Sequence, residues 1–328
     1  MDIDFVLAWV DGGDPEWVRL RNSYCEESKK INEAQYRDWG VLKYWFRAVE
    51  AYAPWVRKIH FVTCGQTPQW LNTAHPKLHL VNHTDYIPAE YLPTFSSHAI
   101  ELNFHRIPGL TEQFVYFNDD MYLNDTVSHT DFFVDGHPCD SAILEQLVPS
   151  VMRDDFKHIL CNDMAFVNDH FRKHAVMRRD PAKWFSPKYG KMLLKNIYYG
   201  MPKGFSAFHN SHVPSAMLKS TYEKVWELEP EVLHCTCKNR FRGLNDVNQY
   251  IMSYYNICTG NFEPRSVDFG RYYMIGADSE ALHRDIREHR HKLICANDNI
   301  DQINFEKERM QLIHAFEQVL PEKSSFEK

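Results

Sequence analysis

The sequence predicts an α/β protein, and three observations carry that expectation. Short apolar runs at 3–10, 58–63, 78–83 and 114–117 have strand length. Segments with helical apolar spacing separate several of them. Three of the runs lead into residues that open loops, at Asp11–Asp14, Gly65 and Asn118–Asp120. Strands alternating with helices indicate a largely parallel sheet flanked by helices.

In chain order, "IDFVLAWV" (3–10) is a strand that ends at Asp11-Gly12-Gly13-Asp14. "WGVLKYWFRAVEAYA" (39–53) places Val41/Leu42, Trp45/Phe46, Val49 and Tyr52 on one helical face, and Pro54 closes it. "KIHFVT" (58–63) runs into Cys64-Gly65-Gln66, and "LHLVNH" (78–83) is the next strand. Ser96 or Ser97 is placed to cap a helix over "HAIELNFHRI", and Pro108-Gly109 leads into the strand at 114–117. Near the C-terminus, Met310, Ile313, Phe316 and Leu320 have helical spacing, so a final helix is expected to dock on the body.

The 328 residues read as one domain in three parts: an α/β core over 1–150, a basic helical insertion over 151–205, and a return segment with the C-terminal helix over 206–328. With 44% hydrophobic residues there is enough apolar material for a large core. No run approaches the length of a membrane span, and an acid stands where a signal peptide needs basic residues. A cytoplasmic protein, or a soluble domain of something larger, is therefore expected, with its eight cysteines as reduced thiols and the His234–Cys237 cluster structural. A net charge of −7 excludes a general nucleic-acid binder. The insertion is the exception, with 11 Lys or Arg against 5 Asp or Glu and interleaved aromatics. Such a stretch suits an anionic polymer or a membrane surface, or is simply a solvated helical segment.

"FVYFNDDMYLND" (114–125) drives a buried-looking strand straight into Asn118, Asp119 and Asp120. Unpaired carboxylates are costly to bury, so the pair serves either a bound cation or a loop open to water. In open α/β sheets ligands bind outside the carboxyl ends of the strands. Asp11/Asp14, Gly65/Gln66 and Asn118–Asp120 all fall there, and this topology would gather them into one crevice. Two acids after an asparagine suit a hard divalent cation such as Mg²⁺ that also binds phosphate oxygens. In an extended chain Asp120 is the better ligand, and Asp119 joins it only if the chain turns there.

Other candidates are Glu101 and His105, four apart on the expected helix, with Arg106 following. His209 and His212 form H-x-x-H, one of them a proton carrier. Arg242, Asp246 and Asn248 offer an anion clamp. Each also has an ordinary reading: a solvated Glu–His pair, isolated histidines, a surface Arg–Asp pair.

Taken together these segments resemble the Stealth family of sugar-1-phosphate transferases. "IDFVLAWVDGGDPEW" (3–17) is similar to its first block, and 42–71 with 92–123 to its second. "HVPSAMLKS" (212–220) with "RGLNDVNQYI" (242–251) is similar to the third, and "LICANDNID" (293–301) with "PEKSSFEK" to the fourth. The resemblance implies a Rossmann-like, GT-A-like nucleotide-sugar sheet. It implies transfer of a hexosamine 1-phosphate, GlcNAc- or ManNAc-1-phosphate, from a UDP-sugar to a hydroxyl of a growing capsular polysaccharide, with release of UMP. On this resemblance Asp119 and Asp120 are the metal and diphosphate site, Mg²⁺ being the cofactor with Mn²⁺ as a substitute. His212 and Arg242 match the essential histidine and arginine, and Asp120 joins them as catalytic. Asp11, Asp14, Gln66, Glu101, His105, Arg106, Asp246, Asn248, Asn297 and Asp298 are the nucleotide and substrate residues. Whether His212 acts as base or phosphate ligand stays open. The short chain points to the bacterial capsule branch, and so to peripheral association with the inner face of the cytoplasmic membrane or a capsule-assembly complex. The alternatives are a metal-dependent glycosyltransferase that releases UDP and a non-catalytic polysaccharide-binding protein.

Overall fold

A computed structural model of the chain describes residues 2–25, 38–148, 155–298 and 303–328. The first four positions of the insertion and positions 299–301 of the fourth block lie outside the described residues. The expected strands form, the first three trimmed by a residue or two and the fourth longer by one at each end: β1 (Ile3–Ala8), β2 (Ile59–Thr63), β3 (Leu78–Asn82) and β4 (Gln113–Asn118). Helices α1 (Pro15–Tyr24) and α2 (Leu42–Tyr52) connect β1 to β2.

The sheet order is β4-β1-β2-β3, all parallel, with the later strand Ser215–Leu218 antiparallel on the free edge of β4. β1 pairs Phe5 with Ile59 on one side and Val115 on the other. Because β2 follows on one side of β1 and β4 returns on the other, the order reverses at β1, and the crevice between the ends of β1 and β4 is the topological switch point.

Both faces of the sheet are covered, so β1 and β4 are apolar nearly throughout. On one face Phe5, Leu7, Phe61 and Phe117 pack with Trp45 and Phe46 of α2 and Phe316 of the C-terminal helix. On the other, Val6, Val62, Phe114 and Tyr116 meet Tyr222, Ile251 and Tyr254 from later helices.

Helix α2 buries Leu42, Trp45, Phe46 and Val49 as its spacing requires. The C-terminal helix (Phe305–Val319) docks through Leu312, Ala315 and Phe316, while Met310 is 66% exposed. Of the expected stripe, Phe316 and Leu320 are buried in the core and Ile313 packs against it, and only Met310 turns outward. The expected helix over "HAIELNFHRI" breaks in two, Ser97–Glu101 and a 3₁₀ turn at Phe104–Arg106. Ser96 stands at the N-cap, but its side chain makes no capping bond.

β4 ends at the acids, but the extended chain resumes directly beyond them. The chain turns at Asp119–Asp120 and leaves the main sheet as β5 (Met121–Leu123), which joins a second sheet. There β5 pairs antiparallel with Leu293–Asn297, which pairs parallel with Gly270–Met274. The acid pair therefore marks the point where one continuous segment changes sheets.

At the opposite end of β1, the buried Asp4 accepts from Arg57 Nε at 2.8 Å and Nη2 at 2.5 Å, from Thr111 N at 3.1 Å, and lies 2.9 Å from His60 Nε2. Burial alone would raise its pKa, but the bonds from His60 and Arg57 outweigh it and the carboxyl is held below its usual value. A depressed folded-state pKa contributes stability above the unfolded value of about 3.9, lost as pH falls through the folded value. Asp4→Ala is expected to cost about 3 kcal/mol in urea unfolding at pH 7, because it strips partners from buried groups, and distinctly less at pH 3. Equal losses at both pH values would show that the ion cluster is not the cause.

Candidate active site

The loop after β1 is built around Gln66. Its Oε1 accepts from Asp11 N at 2.8 Å, and its Nε2 donates to Asp11 O at 2.9 Å and Asp14 Oδ2 at 3.0 Å. Asp14 also caps α1, accepting from Glu16 N and Trp17 N. The Gln66 bond first, then the capping bond, hold its carboxyl below the ordinary range. Asp11, Asp14 and Gln66 are thus brought together across two strand ends, as the topology requires.

At the end of β4, Asp120 Oδ2 accepts from Asn297 Nδ2 at 2.9 Å and from Cys295 Sγ at 3.2 Å. Both donors sit on one face of the strand Leu293–Asn297, where alternate residues point the same way. A backbone bond from Ala296 N to Asp120 O, 2.8 Å, fixes the register. Burial pushes the Cys295 thiol well up, so it acts as a neutral donor behind Asp120.

His212 faces Asp120 from the loop before the antiparallel edge strand, with Nε2 3.8 Å from Asp120 Oδ2. Its backbone is left-handed (φ 45°), and its N–H donates to Asn210 Oδ1 at 2.7 Å. Its Nδ1 lies 2.7 Å from Tyr250 OH, and Tyr272 packs edge-on against the ring while donating to Asn297 Oδ1 at 3.1 Å. Two segments remote in sequence, carrying His212 and the Cys295/Asn297 pair, therefore meet at the Asp120 carboxylate, with Tyr250 and Tyr272 bonded behind them.

The acid pair fits a cation. Asp120 Oδ1 is buried without a hydrogen-bond partner. Desolvation first, then repulsion from Asp120, push Asp119 up to about 7. Asp119 is exposed at its surface, which tempers the desolvation, but the repulsion between adjacent carboxylates stands. Open carboxylate oxygens suit a hard divalent ion. Asp120, His212 and Cys295 also bring one donor atom each within 4.8 Å of one another, a set that would suit a softer metal.

A polar chain approaches from the other side. Arg242, exposed, donates through Nη2 to Ser97 Oγ at 2.8 Å. Ser97 in turn bonds the buried Glu101, whose pKa is raised by burial despite nearby His98, Tyr116 and Arg242. Tyr116 OH lies 2.7 Å from Glu101 Oε1 and also contacts Asn118 Oδ1. One phenol proton cannot serve two acceptors, so a protonated Glu101 or an Asn118 amide turned to donate completes the pair. Glu101 thus reaches the acid motif through Tyr116.

Four expected residues are placed elsewhere. His105 is buried against Tyr222 and Trp226, its pKa lowered to about 3 by desolvation. Arg106 lies over the Trp226 ring. The helix break after Glu101 turns both away from Glu101's direction, so the shared face does not form. Asp246 is fully buried and accepts from Asn239 Nδ2 at 2.7 Å and Gly243 N at 2.9 Å, with His98 Nδ1 at 3.2 Å. It staples the loop that carries Arg242 and does not pair with that arginine. Buried Asn248 accepts from Tyr250 N and so starts the helix Tyr250–Thr259. Asp298 accepts from Trp39 Nε1 at 3.1 Å, beside Asn297. Of the H-x-x-H pair, His209 turns to Glu145, 3.2 Å away, and only His212 faces the acids.

Sequence reasoning missed Tyr116, Tyr250, Tyr272 and Cys295. Cys295 had a signal, since it stands two before Asn297 on a strand. Tyr116 had the same signal, standing two before Asn118 on β4, but Tyr250 and Tyr272 had none, because their partners come from distant segments.

The chain matches three family models, described as Stealth protein CR1, conserved region 1 (residues 1–28), CR2, conserved region 2 (35–139), and CR4, conserved region 4 (284–328). The segment carrying His212 and Arg242 lies between these matches. Among its relatives, the capsular polysaccharide phosphotransferase WcwK of Streptococcus pneumoniae is 41% identical, over 99% of this chain and 98% of that protein. The exopolysaccharide phosphotransferase cps2G of Lactiplantibacillus plantarum is 42% identical, over 100% and 96%. The receptor polysaccharide phosphotransferase WefC of Streptococcus oralis is 39% identical, over 99% of each. Among solved structures, the galactosyltransferase LgtC with donor and acceptor sugar analogs has a TM-score of 0.40 at 12% identity, covering 95% of both chains, a likeness too slight to build on.

Proposed function

We propose that this chain, which belongs to the Stealth family, transfers a hexosamine 1-phosphate from a UDP-sugar to a hydroxyl of a capsular polysaccharide and releases UMP. The observation that carries the reading is the meeting of Asp120 and His212 at the switch point of the sheet, with the Gln66-bound loop on the neighbouring strand end. Relatives of full-length similarity named as polysaccharide phosphotransferases support it.

The acceptor oxygen forms a bond to the phosphorus that carries the sugar, and the bond from that phosphorus to the UMP oxygen breaks. His212 Nε2 takes the acceptor proton, for which Nδ1–H must donate to the Tyr250 oxygen. Arg242 steadies the non-bridging oxygens, held in place by Ser97. Mg²⁺ at Asp119 and Asp120, with Mn²⁺ as a substitute, would offset the diphosphate's charge and stabilise the departing UMP. Asp11 and Asp14 shape the nucleotide side of the crevice.

Tyr250→Phe is expected to lower kcat about tenfold with little change in the donor KM, since it removes the group that orients the imidazole and no substrate contact. A pure KM effect would place Tyr250 on the donor instead.

Product identity tests the whole reading. The protein would be incubated with Mg²⁺, UDP-GlcNAc or UDP-ManNAc and a short capsule-type acceptor, and the nucleotide products separated by chromatography. UMP that requires both acceptor and metal is expected. UDP would mean that carbon, not phosphorus, is attacked, and metal-independent glycan binding without turnover would identify a binding protein.

A further inference from the structure

The insertion contains a short helix with a buried polar anchor and an exposed apolar face. In the helix Leu193–Gly200 the side facing the protein is held by Asn196, which is fully buried. Its Nδ2 donates to Ala142 O and Trp184 O, both at 2.7 Å, and its Oδ1 accepts from Leu144 N at 2.6 Å. Leu194, Ile197, Tyr198 and Met201, spaced as one helical stripe, face outward and are 68%, 56%, 64% and 69% exposed. A surface helix ordinarily buries such a stripe. Here the three bonds of Asn196, with Leu193 and Tyr199 packed on the core, anchor the inner side, and a second apolar face is left to solvent, where a contiguous patch marks an interaction site.

The charge around it is one-sided. From 181 to 222 the sequence holds six lysines and neither Asp nor Glu. Lys183, Lys188 and Lys195 are committed internally, to Phe262 O, Pro264 O and Glu145. Lys191 and Lys203, which flank the stripe, are exposed. Apolar residues with a tyrosine on one face and lysines at the edge describe a helix lying in the plane of an anionic bilayer surface. A self-complementary contact between two copies would instead set these lysines against one another.

We infer that the helix Leu193–Gly200 docks this protein onto anionic lipid, with Leu194, Ile197, Tyr198 and Met201 entering the interface and Lys191 and Lys203 meeting the headgroups. The inference is independent of the reaction. Among the described residues no helix is long and apolar enough to cross a membrane, so attachment by this route would be peripheral.

The test is sedimentation of the full chain with phosphatidylglycerol-containing vesicles, against phosphatidylcholine alone. Wild type is expected to bind the first and not the second. Leu194→Ser/Ile197→Ser/Met201→Ser should weaken binding at least about tenfold while melting close to wild type, because all three residues are more than half exposed. Lys191→Glu/Lys203→Glu should weaken it by about tenfold or more and abolish its salt sensitivity. No binding by wild type, or undiminished binding by the triple variant, overturns the inference. So does sedimentation velocity showing a wild-type dimer that the triple variant dissociates, since the face would then be a contact between copies.

Discussion

Replacing Asp120 with asparagine is expected to lower turnover at least about 10³-fold while leaving the fold intact. The substitution keeps one acceptor oxygen for Asn297 and Cys295, so the strand pairing that holds the turn survives. It removes the charge that a divalent cation needs and the repulsion that adds to desolvation in raising the Asp119 pKa. The cation-free variant should therefore melt no lower than wild type. The second readout needs no substrate. Adding Mg²⁺ or Mn²⁺ should raise the wild-type melting temperature, because an ion that binds only the folded state stabilises it by mass action. Asp120→Asn should lose that rise. A variant that turns over at the wild-type rate, or that still gains stability from the ion, would move the cation away from the acid pair.

The parallel core was legible because its strands are buried on both faces and therefore read as unbroken apolar runs. The switch-point crevice followed from topology, and the Asp11–Gln66–Asp14 cluster lies where it was expected. The turn at Asp119–Asp120 also met the condition under which both acids can act. Less legible was anything decided by contacts between distant segments. "HAIELNFHRI" has helical spacing throughout, yet the helix stops at Glu101 because His105 is drawn onto Tyr222 and Trp226. Asp246 looked like a partner for Arg242 only because the two are four apart; the loop uses Asp246 to tie down its own backbone.

The basic insertion shows the same limit. Its charge suggested a polymer-binding surface, but much of that charge closes the fold. Lys173 donates to Tyr199 O, Arg179 to Cys258 O, and Lys183 to Gly260 O and Phe262 O while pairing with Glu263. Composition cannot separate a lysine that meets a ligand from one that caps a carbonyl. Nor does composition disclose the exposed stripe of Leu194, Ile197, Tyr198 and Met201, which the buried Asn196 and the inward-packed Leu193 and Tyr199 turn outward.

His212→Asn is the variant expected to separate function from stability most sharply. A histidine at φ 45° holds a conformation that costs a branched or bulky side chain about 1 kcal/mol or more, and asparagine adopts it readily. Losing the bond to Tyr250 costs about 1 kcal/mol, so the two effects offset and unfolding should change by no more than about 1 kcal/mol. Turnover should fall about 10²- to 10⁴-fold, the range for loss of a positioned acid–base group. His212→Gln then distinguishes the two roles left open by the sequence. If the imidazole takes the acceptor proton, an amide cannot replace it and glutamine is as inactive as asparagine. If it donates to a phosphate oxygen, glutamine can supply an N–H from a longer side chain and should recover a substantial part of the rate. A His212→Asn protein with wild-type turnover would mean that the strained backbone serves only the loop, and the proton would have to leave by another group.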